Sequence, residues 1–133
     1  MAKLADVLVY IVGASMLAIG IGFWFALDAM MPQFALSTIS DVGRSNIRAD
    51  NGCLFLTLGT MAGYAVWNRS RTAALVCAMM FLVGLTGRFL TVALDGLDPA
   101  AIGSMFVEGG SAAILLWARS LWPTPTLGVA KPS

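Results

Sequence analysis

The sequence predicts an all-α integral membrane protein, folded as one four-helix bundle over residues 1–133 with its N- and C-termini in the cytoplasm. Composition is the first reason: 59% of the residues are hydrophobic and 11% are charged, whereas soluble domains carry about 25% charged residues. The mean hydropathy of +0.84 also indicates a membrane protein. The second reason is the length of the apolar segments, because a membrane helix needs about 20 mainly apolar residues. The predicted spans are residues 7–27, 51–67, 72–94 and 100–118.

The first predicted span is an uncharged run bounded by Asp6 and Asp28. It is too long for the apolar region of a signal peptide, and no small-residue cleavage site follows it. We therefore expect a retained membrane helix. The connection that follows mixes apolar and charged residues, which predicts a short helix along the membrane interface within residues 38–48.

The remaining elements are separated by clear turn signals. Residues 68–71 form a short basic turn between the second and third spans. Residues 95–99 read Asp-Gly-Leu-Asp-Pro, a strong turn sequence before the fourth span. The tail at 120–133 contains three prolines and is expected to be extended.

The distribution of basic residues predicts the orientation. With four spans, the N-terminus, the 68–71 turn and the C-terminus lie on one side of the membrane. That side holds Lys3, Arg69, Arg71, Arg119 and Lys131. Asp6 is the acid among them, and basic residues near span ends mark the cytoplasmic side. The expected location is the bacterial inner membrane, crossed several times.

Small residues at helical spacing predict close helix packing. Gly59 and Gly63 form a G-x-x-x-G pair in the second span, Gly52 extends the same face, and Gly109 lies in the fourth span. Such residues let helix backbones approach closely. Packing within the chain is favoured here over a dedicated partner surface.

Composition also excludes several kinds of chemistry. The chain has no histidine, the usual haem ligand and the commonest general base. Cys53 and Cys77 lie in different spans, near opposite ends of the bundle, and are expected to be free and buried. We predict no catalytic residue, no metal site and no cofactor, and the scattered basic residues with a net charge of +1 argue against nucleic-acid binding.

Two charged residues lie inside the last two apolar spans. Arg88 lies roughly 10 Å and Glu108 roughly 13 Å from the turn that joins these spans, at 1.5 Å per residue. Because an isolated charge in hydrocarbon is costly, we expect the two to pair. Arg48, Asp50 and Asp95 are expected to extend this intramembrane polar network. A structural clamp is favoured over a proton- or solute-binding site, and both readings stay open.

The same residues carry a resemblance. Arg48-Ala-Asp-Asn-Gly52, Gly87-Arg88, Leu94-Asp95-Gly96 and Glu108 resemble the pattern of a bacterial family of uncharacterised four-helix membrane proteins, over residues 40 to 120. The sequence departs from that pattern at Asn51 and Cys53. A looser similarity to DoxX-like membrane proteins implies the same topology. The resemblance implies a fold and no chemistry.

The hypothesis that follows is a non-catalytic accessory subunit of a larger membrane complex. Its partners would be other integral membrane subunits and lipids, with quinone nearby. An energy-converting host is favoured, either a photosynthetic reaction-centre and light-harvesting core or a respiratory complex, in which the subunit shapes assembly or quinone access. The alternative is a small-solute or proton-coupled transporter that uses Arg88 and Glu108.

Overall fold

A computed structural model describes residues 1–123, and all regular secondary structure in that range is helical. The helices are α1 (Ala2–Phe25), α2 (Leu27–Gln33), α3 (Asp41–Ile47), α4 (Cys53–Trp67), α5 (Arg71–Asp95) and α6 (Pro99–Leu121), and a π-helical turn (Arg48–Gly52) leads directly into α4. The expected extended tail falls largely outside the described residues.

Three of the described helices, α1, α5 and α6, are long and apolar enough to cross a membrane. The protein is therefore all-helical with candidate membrane spans. The second predicted span corresponds to the last part of the π turn together with α4, which has 15 residues and is shorter than the other three.

Several boundaries differ from the predicted ones. Helix α1 begins at Ala2 and ends at Phe25, because the backbone of Ala26 leaves the helical region. The next residues form α2, a short helix containing Pro32 that the sequence analysis did not predict. At the other end, α6 continues beyond residue 118 to Leu121.

Helices α1 and α4 pack with their backbones almost in contact, because glycines lie where they cross. A Cβ atom on Gly59 would lie 2.7 Å from the carbonyl oxygen of Gly13 and 2.7 Å from the amide nitrogen of Leu17. One on Gly20 would lie 2.8 Å from the amide nitrogen of Leu56. Side chains at these positions would force the two helices apart.

A continuous apolar core joins this pair to α5 and α6. The buried core residues are Ala5, Val9, Val12, Met16, Leu58, Ala62, Ala65, Val66, Ala73, Ala74, Cys77, Ala78, Phe81, Ala112, Leu115, Ala118 and Trp122. In α5 the buried positions end at Phe81, and in α6 they begin at Ser111. The core therefore covers the N-terminal half of α5 and the C-terminal half of α6, which both lie at the same end of the structure as the start of α1.

Polar side chains close that end of the core, which we call the basic end (residues 3–6, 69–71 and 119–122). The Asp6 carboxylate accepts a 2.8 Å hydrogen bond from the Trp122 indole nitrogen and a 3.2 Å hydrogen bond from Arg69. The guanidinium of Arg71 donates to the Trp122 carbonyl oxygen at 3.1 Å. The start of α1, the α4–α5 turn and the end of α6 thus lie together.

At the opposite end, aromatic packing and an ion pair order the segment after α1. The rings of Phe23, Phe34 and Phe55 lie with centroids 4.9 to 5.8 Å apart. Arg44 contacts Asp28 at 2.7 Å, and its hydrogen bond and charge lower the pKa of that carboxyl. These contacts connect α2 and α3 to the α1–α4 pair.

The glycine packing predicts a contrast between two neighbouring positions of α4. Gly59→Ala should lower the free energy of unfolding by about 1–3 kcal/mol, the usual cost of overpacking, because its Cβ meets backbone atoms. Gly63→Ala should be neutral or stabilising, since nothing lies within 4 Å of the added atom and alanine favours helix. Thermal unfolding in detergent, followed by circular dichroism, measures both; equal effects would contradict the packing.

Candidate functional site

The candidate site lies between α5 and α6, near the turn that joins them. Gly96 has φ of 92°, a left-handed conformation suited to glycine. The Asp98 side chain caps α6 by accepting a 2.9 Å hydrogen bond from the amide of Ala100. These local features turn the chain sharply, so that the two helices run antiparallel with Arg88 and Glu108 facing each other.

Arg88 and Glu108 form an ion pair. Arg88 Nε donates to Glu108 Oε1 at 2.8 Å, and the two side chains are 36% and 18% exposed respectively. The predicted contact is therefore present. It is a single hydrogen bond through Nε, so the outer nitrogens of the guanidinium do not take part in this contact.

The second carboxylate oxygen of Glu108, Oε2, does not take part in the ion pair. Among the described residues, Oε2 is buried and has no hydrogen-bond partner. The carboxylate lies beside Gly84, where a Cβ atom would be 3.6 Å from Glu108 Cδ and 3.8 Å from Oε2. The site therefore offers one unused acceptor in a poorly hydrated place, next to a helix surface without a side chain.

The other members of the predicted network lie elsewhere. Arg48, Asp50 and Asp95 are exposed, and within residues 1–123 none of them forms a hydrogen bond or ion pair with Arg88 or Glu108. For Arg48 and Asp50 the reason is topological, because the π turn packs against α1, α3 and α4. The structure thus brings together two of the five predicted residues.

The four predicted packing glycines behave differently from one another. Gly59 supports the α1–α4 contact, and a Cβ on Gly52 would overlap the indole of Trp24. Gly109 lies near Leu85, with 3.6 Å between its Cβ position and the leucine side chain. Only around Gly63 is there open space. Packing within the chain accounts for the first three.

Both cysteines are free, but the expected burial holds for only one of them. Cys77 is buried, whereas Cys53 is exposed. The buried face of α4 runs through Leu58, Ala62 and Ala65, and at helical periodicity Cys53 lies on the other side. In the described range no group of three or more His, Cys, Asp or Glu residues could hold a metal ion.

A groove between α4 and α5 was missed by the sequence reading. It has a volume of about 540 Å³ and reaches Gly84, beside the Glu108 carboxylate. Its lining is Leu54, Leu75, Val76, Met79, Met80, Val83 and Gly84. Steps of one, three and four residues along α5 place these positions on one helix face, a spacing that could have revealed the groove.

Comparison with known families identifies a match over most of the chain. A family model described as a domain of unknown function, DUF4345, matches residues 4–119. The chain belongs to this family. The match covers most of the chain and includes the α5–α6 site, so Arg88 and Glu108 are part of the DUF4345 domain. No match was found among curated proteins or among solved structures, and the DoxX-like similarity stays a prediction.

The ion pair predicts a strong effect of neutralising one partner. Glu108→Gln should lower the free energy of unfolding by about 3 kcal/mol, since it leaves the Arg88 charge uncompensated. Replacing both residues by methionine should recover most of this loss. Detergent unfolding of the wild-type protein and the two variants measures these effects, and unchanged stability of Glu108→Gln would show that the pair does not stabilise the fold.

The basic end predicts a second effect. Trp122→Phe removes the indole donor from Asp6 and should cost about 1.5–3 kcal/mol, the value of a hydrogen bond to a charged group. Trp67→Phe is the matched control, because Trp67 is 82% exposed, and it should have little effect. Equal losses in the two variants would argue against the Asp6 contact.

Proposed function

We propose that this DUF4345 protein is a non-catalytic accessory subunit of a bacterial inner-membrane complex. It would bind another integral membrane subunit through the outer hairpin, which we define as residues 82–110 of α5, α6 and their turn. One observation carries the proposal: the charged Arg88 side chain is half-buried on a hairpin that the rest of the chain leaves uncovered.

The proposed membrane arrangement has four spans. The five-residue π turn and the 15-residue α4 are continuous, and about 20 residues at 1.5 Å each reach the 30 Å of the hydrocarbon layer. With α1, α5 and α6 this makes a four-helix bundle. The cations Lys3, Arg69, Arg71 and Arg119 then favour a cytoplasmic position for the basic end and both termini.

The outer hairpin is the surface that supports a partner. None of residues 82–110 is buried, and large side chains such as Phe89 and Phe106 are 57% and 75% exposed. Apolar exposure alone fits contact with lipid. Arg88 does not fit contact with lipid, because a charge that faces hydrocarbon is costly. Its side chain is 36% exposed, and it lies roughly 10 Å from the end of the helix. A partner helix over the hairpin removes that cost.

The absence of histidine from the sequence and the lack of a metal-ligand cluster among residues 1–123 favour a structural role over catalysis. An energy-converting host remains our working hypothesis, with a photosynthetic core or a respiratory complex as candidates. In such a complex the subunit would shape assembly or the access of quinone.

One observation favours a second function. The buried, unpartnered Oε2 atom of Glu108 is an acceptor that a transported proton or solute could use. A carrier would therefore depend on Glu108 for uptake or resistance in cells, whereas an accessory subunit would depend on the surface of the outer hairpin. The two functions are separated by the residues that they require.

The assembly proposal is tested by isolation from native membranes in a mild detergent through a C-terminal tag. We expect stoichiometric membrane partners, with the absorption spectrum of haem or bacteriochlorophyll if the host is energy-converting. Phe106→Ala should reduce partner recovery about tenfold, as expected for an aromatic anchor.

Phe25→Ala is the matched control, because Phe25 is 82% exposed on α1 and lies outside the outer hairpin. It should leave partner recovery unchanged. A wild-type protein recovered alone would overturn the assembly proposal. If Glu108→Gln then abolishes an uptake or resistance phenotype, the carrier becomes the better description.

A further inference from the structure

We infer that the basic end binds the phosphate group of an anionic phospholipid through the guanidinium groups of Arg71 and Arg119. The ligand class is a phosphodiester head group with a net negative charge, as in phosphatidylglycerol. The inference rests on the proposed membrane arrangement for the depth of the basic end. It does not depend on the proposed partner subunit.

The charges of the basic end do not balance. Its residues include one carboxylate, Asp6, and four cationic side chains, which are Lys3, Arg69, Arg71 and Arg119. Each oxygen of the carboxylate already has a donor, since Oδ1 accepts from Trp122 and Oδ2 accepts from Arg69. Within residues 1–123, Asp6 contacts neither Arg71 nor Arg119. Two guanidinium groups are thus left without an acidic partner in that range.

Arg119 lies at the edge of the apolar core. It follows Leu115 by four residues and precedes Trp122 by three, and both of these side chains are buried, so it shares their side of α6. In the described part of the chain it forms no ion pair, and its Nε is buried without a hydrogen-bond partner. The negative end of the α6 dipole offsets only part of a full charge. Because an uncompensated charge beside an apolar core is costly, Arg119 favours an anion from outside the chain.

The terminal nitrogens of Arg119 are the atoms that a phosphate would contact. Nε is the nitrogen of this side chain that is buried and unpartnered, whereas the two terminal nitrogens are not among the buried unpartnered atoms of residues 1–123. Two such nitrogens in one plane match two oxygens of a phosphate group. Lysine would supply the same charge without this paired geometry.

Arg71 is positioned to bind the same group. Its Nη1 donates to the carbonyl oxygen of Trp122 at 3.1 Å, which leaves its other terminal nitrogen for a ligand. Arg119 lies three residues before Trp122 on the same side of α6. The two guanidinium groups therefore belong to one corner of the structure, where α5 begins and α6 ends.

The depth of this corner favours a lipid as the source of the phosphate. Tryptophan prefers the head-group region of a membrane, and both the exposed Trp67 and the buried Trp122 lie at this end. Basic sites between membrane helices on the cytoplasmic side bind anionic head groups. The acyl chains of the same lipid would lie along apolar side chains of α6 such as Leu116 and Leu121, each 37% exposed. Free phosphate lacks that apolar contact.

The test is a lipid titration of the purified full-length protein in a neutral maltoside detergent at constant ionic strength. The probes are phosphatidylglycerol, phosphatidylcholine and inorganic phosphate, and the readouts are the melting temperature and the number of bound lipids in native mass spectra. We expect saturable binding of phosphatidylglycerol, about tenfold tighter than that of phosphatidylcholine, because the choline cation is repelled by the arginines. Inorganic phosphate should give no saturable shift.

A pair of variants separates this site from the overall charge of the basic end. Arg119→Gln should reduce the affinity for phosphatidylglycerol about tenfold. Without lipid it should melt at the wild-type temperature or above, since it removes a charge that has no partner within residues 1–123. Lys3→Gln is the matched control, because it removes the same charge from the same end at an exposed position. It should bind phosphatidylglycerol normally.

Several results would overturn the inference. Absence of a saturable shift with phosphatidylglycerol removes the site, and equal binding of phosphatidylcholine removes its selectivity for a net negative charge. An equal shift with inorganic phosphate makes a free anion the ligand. Equal losses in Arg119→Gln and Lys3→Gln assign binding to the total charge, and a lower lipid-free melting temperature of Arg119→Gln gives that residue a structural role. None of these variants lies on the outer hairpin, so the partner-recovery experiment succeeds or fails separately.

Discussion

The arrangement of the helices depends on the Asp6 carboxylate, which accepts hydrogen bonds from two other parts of the chain. Asp6 accepts hydrogen bonds from Trp122 and Arg69, and its side chain is only 17% exposed. It thereby connects the start of α1 to the end of α6 and to the α4–α5 turn. Helices α1 and α4 already pack tightly through glycines, and α5 and α6 are adjacent in sequence. The Asp6 contacts hold these two pairs together around the core.

The two halves of α5 and α6 consequently have different environments. Near the basic end their small residues, such as Ala78 and Ala112, are buried in the core to which α1 and α4 also contribute. Beyond Phe81 and before Ser111 none of their residues is buried, and the ion pair lies in this region. Arg88 and Glu108 thus lie in a part of α5 and α6 that contains no fully buried residue, so they are covered mainly by each other's side chains and not by the core.

The sequence predicted the helical class and the Arg88–Glu108 contact because both follow from local rules. Apolar run length indicates a membrane helix, and equal depth on adjacent antiparallel helices brings opposite charges together. It failed where tertiary packing decides. The exposure of Cys53 depends on which face of α4 meets α1, and the isolation of Arg48 and Asp50 depends on where the π turn packs. The groove was missed because a stripe of leucine, valine and methionine reads as ordinary lipid-facing helix.

The sequence separation of the polar contacts has a consequence for biogenesis. Arg88 and Glu108 are 20 residues apart, whereas Trp122 and Asp6 are 116 apart. A lone arginine costs about 2.5–3.5 kcal/mol at the centre of an inserting helix. If α5 and α6 enter the membrane as one helical hairpin, each charge arrives with its counter-ion, and the translocation machinery handles a neutral unit. On the same assumption the Asp6–Trp122 contact can form only after α6 has emerged, because Trp122 directly follows the end of that helix.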